Sequence, residues 1–294
     1  MSGEALLAAA LTLAFLAAVF VPLERLFPRR TQRIIRRESG TDLIFFAMQQ
    51  IAWRGLALAA LGALAGALDG VVPHELREAV RGWPLAAQIA VVVLLCDVVV
   101  YWGHRLSHRV PLLWRFHRVH HTSEHLDFLA AYREHPLDGL WTMALENLPA
   151  LALGFPLEFI AGFVAFRGVW AVFIHSNVRL PLGPLKVLLG SPDLHHWHHH
   201  AGAGGATNFA NLSPLMDVVF GTYACPATDP PVLGCAEPTP RSYLGQLAWP
   251  FVEPFRPAAA ASAVRVPVGE GRLGAGGELV ARAADGLDER AAAG

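Results

Sequence analysis

Long apolar runs separated by short polar connections organise the first 175 residues. Residues 5–23 (ALLAAALTLAFLAAVFVPL) are apolar throughout and are bounded by Glu4 and Glu24. A helix needs about 20 such residues to cross a bilayer, so this run predicts a transmembrane helix. It lacks the basic leader of a secretory signal, and a strongly basic stretch follows it. Residues 43–68 form a second run, interrupted by Gln49, Gln50 and Arg54. An arginine at that depth is costly and is expected to face protein or reach an interface. A polar connection at 69–83 leads to a third span at 84–102. Residues 137–153 and 156–174 are two further apolar runs, joined around Gly154, Phe155 and Pro156. They predict a helical hairpin that enters the membrane and returns. Its first limb carries Glu146 and is short for a span, as a re-entrant element would be. The expected fold class is an all-α integral membrane protein with about four to five transmembrane or re-entrant helices.

Composition agrees. Hydrophobic residues make up 54% of the chain and charged residues 16%, where a soluble chain carries about 25% charged residues. Mean hydropathy is +0.39. The formal net charge of −1 gives no electrostatic case for nucleic acid. Cys96, Cys225 and Cys235 form no CxxC pair, so any metal must be held by nitrogen and oxygen ligands. Arg25, Arg29, Arg30, Arg33, Arg36 and Arg37 fall just after the first span. Short cytoplasmic loops are enriched in Lys and Arg, which places this solvated charge run in the cytoplasm and the N-terminus outside. Counting spans from there puts 103–136, His175 and 179–225 on the cytoplasmic face. Four regions result: N-terminal membrane helices with the basic loop (1–83), a histidine-bearing catalytic domain (84–225), an interfacial segment (226–256) and an Ala/Gly-rich tail (257–294) expected to be disordered.

Imidazole is the commonest metal ligand among side chains, and the chain has 14 histidines. His104 and His108 lie four apart, on one face of a helix. His117, His120 and His121 occupy positions i, i+3 and i+4, and could touch one metal or two. His195, His198 and His199 repeat that spacing inside the run His195–His200. With His175 they make nine candidate ligands on one membrane face. One zinc site takes three or four ligands, so the excess suits a two-metal centre in a histidine-rich helical cap. His125, His196 and His200 break the pattern and are assigned to loops or to the surround. His135, in Arg133-Glu-His135-Pro-Leu-Asp138, stands between an additional ligand and an outer role. His74 is an isolated loop residue.

These boxes resemble those of the fatty acid hydroxylase/sterol desaturase superfamily. Asp97-Val-Val-Val-Tyr-Trp-Gly-His104-Arg-Leu-Ser-His108 is similar to its first box. Arg133 with His135-Pro136, and His175-Ser-Asn177, resemble its intermediate landmarks. Asn208-Phe-Ala-Asn211 and Asp217-Val-Val-Phe-Gly-Thr-Tyr223 resemble its closing signature, with Met216 where the family often has tryptophan. The resemblance covers roughly residues 85–225. It implies a non-haem centre of two iron ions, with O2 as co-substrate. The implied reaction is hydroxylation or desaturation of a lipid: a sterol, fatty acyl chain, ether lipid or isoprenoid. No flavin, haem or cysteine-rich motif is visible, so electrons must come from a separate donor, ferredoxin or cytochrome-type with a reductase. Asp97, Asn177, Asn208 and Asp217 are candidates for fixing the ligands from behind. For Asp217 and the two asparagines, helix capping or turn formation is the alternative.

Two rival readings are testable. His121-Thr-Ser-Glu124-His125 matches the H-x-x-E-H pattern of inverted zinc proteases, which would make the chain a membrane zinc hydrolase. A non-enzymatic metal-binding or transport protein would instead place its ionisable groups near the bilayer midplane.

Overall fold

The computed structural model describes residues 3–155, 157–201 and 206–252. The expected disordered tail therefore lies outside the described residues, as do Pro156 and Phe255. Among the described residues the fold is helical, with isolated bridges at Pro28–Val178 and His200–Leu233 in place of strands. In order, the helices are α1 (Gly3–Leu26), α2 (Ser39–Met48), α3 (Arg54–Asp69), α4 (His74–Arg81), α5 (Leu85–Arg109), α6 (Pro111–His117), α7 (Pro136–Ala152), α8 (Leu157–His175), α9 (Pro192–His198), α10 (Leu215–Val219) and α11 (Tyr243–Val252).

Three helices are long and apolar enough to cross a membrane: α1, the continuous run Ser39–Asp69, and α5; Phe159–His175 is a shorter apolar helix. On α1 the large side chains Leu7, Leu11 and Phe15 are exposed, while Leu16 and Phe20 are buried against Phe46 and Val172. Such an outward apolar face is stable where the solvent is hydrocarbon, and the protein is an all-α membrane protein. The predicted hairpin forms as α7 and α8. At the end of α7, Gly154 adopts φ +71°. The Gly154 N–H bonds Leu151 O and the Phe155 N–H bonds Ala150 O, the double closure that lets a left-handed residue satisfy a helix C-terminus.

Two features position the site. The polar interruption of the second run coincides with a turn of π-helix, Gln49–Trp53, between α2 and α3. Such single-turn widenings occur often at functional sites, and here Gln49 Nε2 donates to Glu134 Oε2 at 3.3 Å. In the second, α5 packs tightly on α7. A Cβ at Gly103 would run into Leu145 Cδ1, so glycine permits this approach one residue before His104.

The basic stretch is more than a solvated loop. Arg25, Arg33 and Arg37 are exposed, but Arg29 and Arg36 are buried. Arg29 pairs with Asp193 and Asp229. Arg36 bonds both oxygens of Asp127 at 2.6 and 2.7 Å and shares Asp42 with Arg133, each at 2.6 Å. Sequence spacing could not pair most of these groups, because Asp193 lies 164 residues from Arg29 and Asp127 lies 91 from Arg36.

Candidate metal centre

The nine candidate histidines converge at one end of the helices, in two adjoining groups. His104, His108, His117, His121 and His198 form one; His120, His175, His195 and His199 form the other. Within each group one ring nitrogen per residue lies within 4.8 Å of all the rest. The groups share a wall, where the rings of His121 and His199 stack 4.4 Å apart.

Local backbone explains the partition. His104 and His108 are i, i+4 near the end of α5. The second box is not one helix: α6 ends at His117, and His120–Thr122 is a 3-10 turn. His117 and His121 face one group and His120 the other. The third box reverses this. His195 and His199 join the second group, and His198 crosses to the first. The second and third boxes thus each send an i, i+4 pair to one group and the histidine between to the other, while His104 and His108 stay together.

The rings are locked from behind. The Nδ1–H of His104 donates to Phe209 O at 2.7 Å, that of His198 to Thr207 O at 2.8 Å, that of His120 to Arg133 O at 3.1 Å and that of His175 to Ala171 O at 2.7 Å. His117 Nδ1–H donates to the Asp138 carboxylate at 3.0 Å. A carbonyl or carboxylate only accepts, so Nδ1 carries the proton and Nε2 presents a bare lone pair. These Nε2 atoms face one another: His104 and His117 at 3.1 Å, His120 and His175 at 3.0 Å. Neither partner can donate. His121 Nε2 and His198 Nε2 are buried without a hydrogen-bond partner among the described residues. Burial, reinforced by neighbouring histidines, holds His120, His121, His195 and His199 far below the usual imidazole range, and burial brings His198 down to about 3. These five rings are held neutral and cannot relieve close contacts by protonation. A cation between them does so. Two nitrogens at right angles and about 2.1 Å from one ion lie about 3 Å apart, so the donor set fits a metal in each group.

The fatty acid hydroxylase family profile matches residues 89–222, a stretch that contains all nine histidines. That stretch belongs to the fatty acid hydroxylase/sterol desaturase superfamily. An ornithine lipid hydroxylase of Rhizobium tropici is 33% identical over 174 residues, 58% of this chain and 52% of the relative. Human alkylglycerol monooxygenase is 33% identical over 128 residues, 43% of this chain and 28% of the relative. A methylsterol monooxygenase of Arabidopsis thaliana is 29% identical over 141 residues, 47% of each chain. The chain thus spans about half or less of the curated relatives it matches. No solved structure matches it.

The outer candidates sit as follows. Asn208 adopts φ 55° and donates through Nδ2 to Leu194 O and Ala224 O. It fixes the turn whose flanking carbonyls, Thr207 and Phe209, hold His198 and His104. Asp217 accepts from Phe209 N–H at 2.8 Å, Ala210 N–H at 2.9 Å and Thr222 Oγ1–H at 2.7 Å, bracing the same turn. Asn177 reaches no ligand ring; its side chain bonds both backbone groups of Arg30. Asp97 also reaches none. It lies beside Arg167, 3.7 Å away. His135 stays outside both groups: it caps α7, accepting from the Leu137 N–H at 3.2 Å, with its ring against Phe116. His196 Nε2 lies 3.1 Å from Ser176 O. His125 sits 3.2 Å from Glu38 and joins no histidine group, so the H-x-x-E-H reading has no geometric basis. The nine histidines cluster at one end of the helices rather than part-way along them, where the transporter reading would place its metal ligands.

Sequence reasoning missed Asp138. The signal was available: an acidic residue just after Pro136, in the first turn of an apolar helix. Asp138→Asn is expected to weaken metal retention about 10- to 100-fold, because an amide can present its NH2 to Nδ1 and reverse the tautomer. Equilibrium dialysis against a metal buffer measures this; unchanged affinity would mean that Asp138 does not set the ring.

A cavity of about 290 Å³ opens beside the groups. His104, His117, His120, His175 and His195 line one end, and Val100, Leu145, Val164 and Val172 line its walls. Glu134 also lines it, its carboxyl pushed well above the usual range by burial and by Asp138 and Glu146.

Proposed function

We propose that the chain is a membrane-bound oxygenase that uses two iron ions, O2 and electrons from a separate donor to hydroxylate or desaturate a lipid. The observation that carries this reading is the set of facing Nε2 lone pairs in two adjoining groups, each backed by an Nδ1 proton already committed elsewhere. His104, His108, His117, His121 and His198 would hold one ion, and His120, His175, His195 and His199 the other. Imidazole suits iron, and an iron pair supplies the dioxygen chemistry that side chains cannot. The protein's own part is to hold nine imidazole rings in place and to seat an apolar chain against them. The relatives' names support the class, since they describe a lipid hydroxylase and lipid monooxygenases. A cytoplasmic facing for the site is supported by the arginine-rich stretch. The Arg29 N–H bonds Asn177 O at 2.9 Å, which places that stretch beside the end of α8 that carries His175. An electron donor of ferredoxin or cytochrome type, with its reductase, would dock from that side.

Metal analysis of the purified protein should return about two irons per chain. Oxygen uptake should require a reductant and a lipid extract, and mass spectrometry should find a product shifted by one oxygen atom or by loss of two hydrogens. One tightly held zinc, with no oxygen uptake under any donor, would overturn the proposal.

A further inference from the structure

The cavity has a second polar end. Arg167 on α8 is 2% exposed and lines the cavity, as does Glu146 on α7. Asp97 on α5 stands behind Arg167. Arg167 precedes His175 by eight residues, Glu146 follows Asp138 by eight, and Asp97 precedes His104 by seven. At about 1.5 Å per residue, all three reach one level roughly 10–12 Å from the histidines.

This triad is loosely closed. Arg167 Nε lies 3.4 Å from Glu146 Oε1, and Nη1 lies 3.7 Å from Asp97 Oδ1. The buried pairs that brace the fold close at 2.6 Å, as in Arg36–Asp127 and Arg133–Asp42. Arg167 Nη1 and Nη2 and Asp97 Oδ1 are buried and have no hydrogen-bond partner among the described residues. A guanidinium left in that state is expensive, and the space it faces is the cavity. A group completing it must accept from Arg167 and donate to a carboxylate. One arginine among two carboxylates also disfavours an anionic ligand. A neutral hydroxyl meets each requirement.

We infer that this end of the cavity is a subsite for a neutral hydroxyl group of the substrate, which sets the reacting carbon at the histidine end about 10–12 Å away. The inference deepens the proposed function and rests on its reading of the cavity as the substrate's seat. The substrate class is then an amphiphile with an alcohol at one end and an unactivated carbon at the other, rather than a free fatty acid.

Binding tests it without turnover. Metal-loaded protein in detergent is titrated with dodecan-1-ol, dodecane or dodecanoate at matched micellar mole fraction, following tryptophan fluorescence; Trp141 lines the cavity. The alcohol is expected to bind about 10- to 100-fold more tightly than the alkane, the range for hydrogen bonds to charged groups, and the carboxylate more weakly than the alcohol. Glu146→Gln and Arg167→Lys should each shrink the preference for the alcohol and leave alkane binding unchanged. Arg167→Met strands the buried Asp97 and the half-buried Glu146, so the wild-type comparison, which needs no variant, is the deciding arm. Equal binding of alcohol and alkane would overturn the subsite and mean that water or the triad itself satisfies Arg167. Iron and oxygen uptake without an alcohol preference would sink the subsite alone. An alcohol preference without iron would sink the oxygenase reading and leave an alcohol-binding cavity.

Discussion

His120→Ala is expected to leave a folded membrane protein that retains about one metal and no measurable turnover. The ring contributes to a group of four, and its removal leaves three, the minimum of a catalytic zinc-type site. Its Nε2 also faces His175 at 3.0 Å, so the loss opens the wall between two ligands. Outer partners of metal ligands are worth about 10- to 100-fold, and a ligand itself should exceed that. His198→Ala tests the other group, where four of five rings remain. Metal content, circular dichroism and product formation in the same preparation separate the alternatives. Near wild-type turnover in either variant would remove that histidine from the working set.

Asp217→Ala should damage the fold and the site together. The carboxylate is buried and accepts from two backbone N–H groups and the Thr222 hydroxyl. Hydrogen bonds to a charged group contribute about 1.5–3 kcal/mol each, and stranded donors add a desolvation cost, so a loss of about 3–5 kcal/mol is expected. For a chain of this size that corresponds to a fall in Tm of roughly 10 °C, measured by thermal unfolding in detergent. Because the braced turn supplies the carbonyls of Thr207 and Phe209, metal retention at His198 and His104 should fall with it. A Tm within two or three degrees of wild type would show that the turn stands without Asp217.

The apolar runs and the histidine spacing made the helices and the nine convergent residues legible in the sequence, because both depend on local periodicity. The division of the second and third boxes between two groups was not legible. It follows from α6 stopping at His117 and from the 3-10 turn at His120, and i, i+3, i+4 spacing cannot report a break in a helix. The expectation for Asp97 failed on distance. It shares a helix with His104, but seven residues are about 10.5 Å of rise, beyond the roughly 3 Å reach of a hydrogen bond. His135 was ambiguous because Pro136 follows it: a residue before N1 is a cap candidate whatever else it could be. The burial of Arg29 and Arg36 was hidden because Asp193, Asp229 and Asp127, which cover them, are remote in the chain.

Four of the five Nδ1 protons described above are held by main-chain oxygens, and one by a side chain. A point mutation cannot delete a carbonyl. The aim of those four rings can therefore persist while the residues supplying the carbonyls drift, so long as the turn keeps its shape. Asp138 alone among the five acceptors can be lost in one codon change. A survey of variants should find Thr207 and Ala171 replaced more freely than Asp138, whereas Arg133 and Phe209 are held by their own buried side chains.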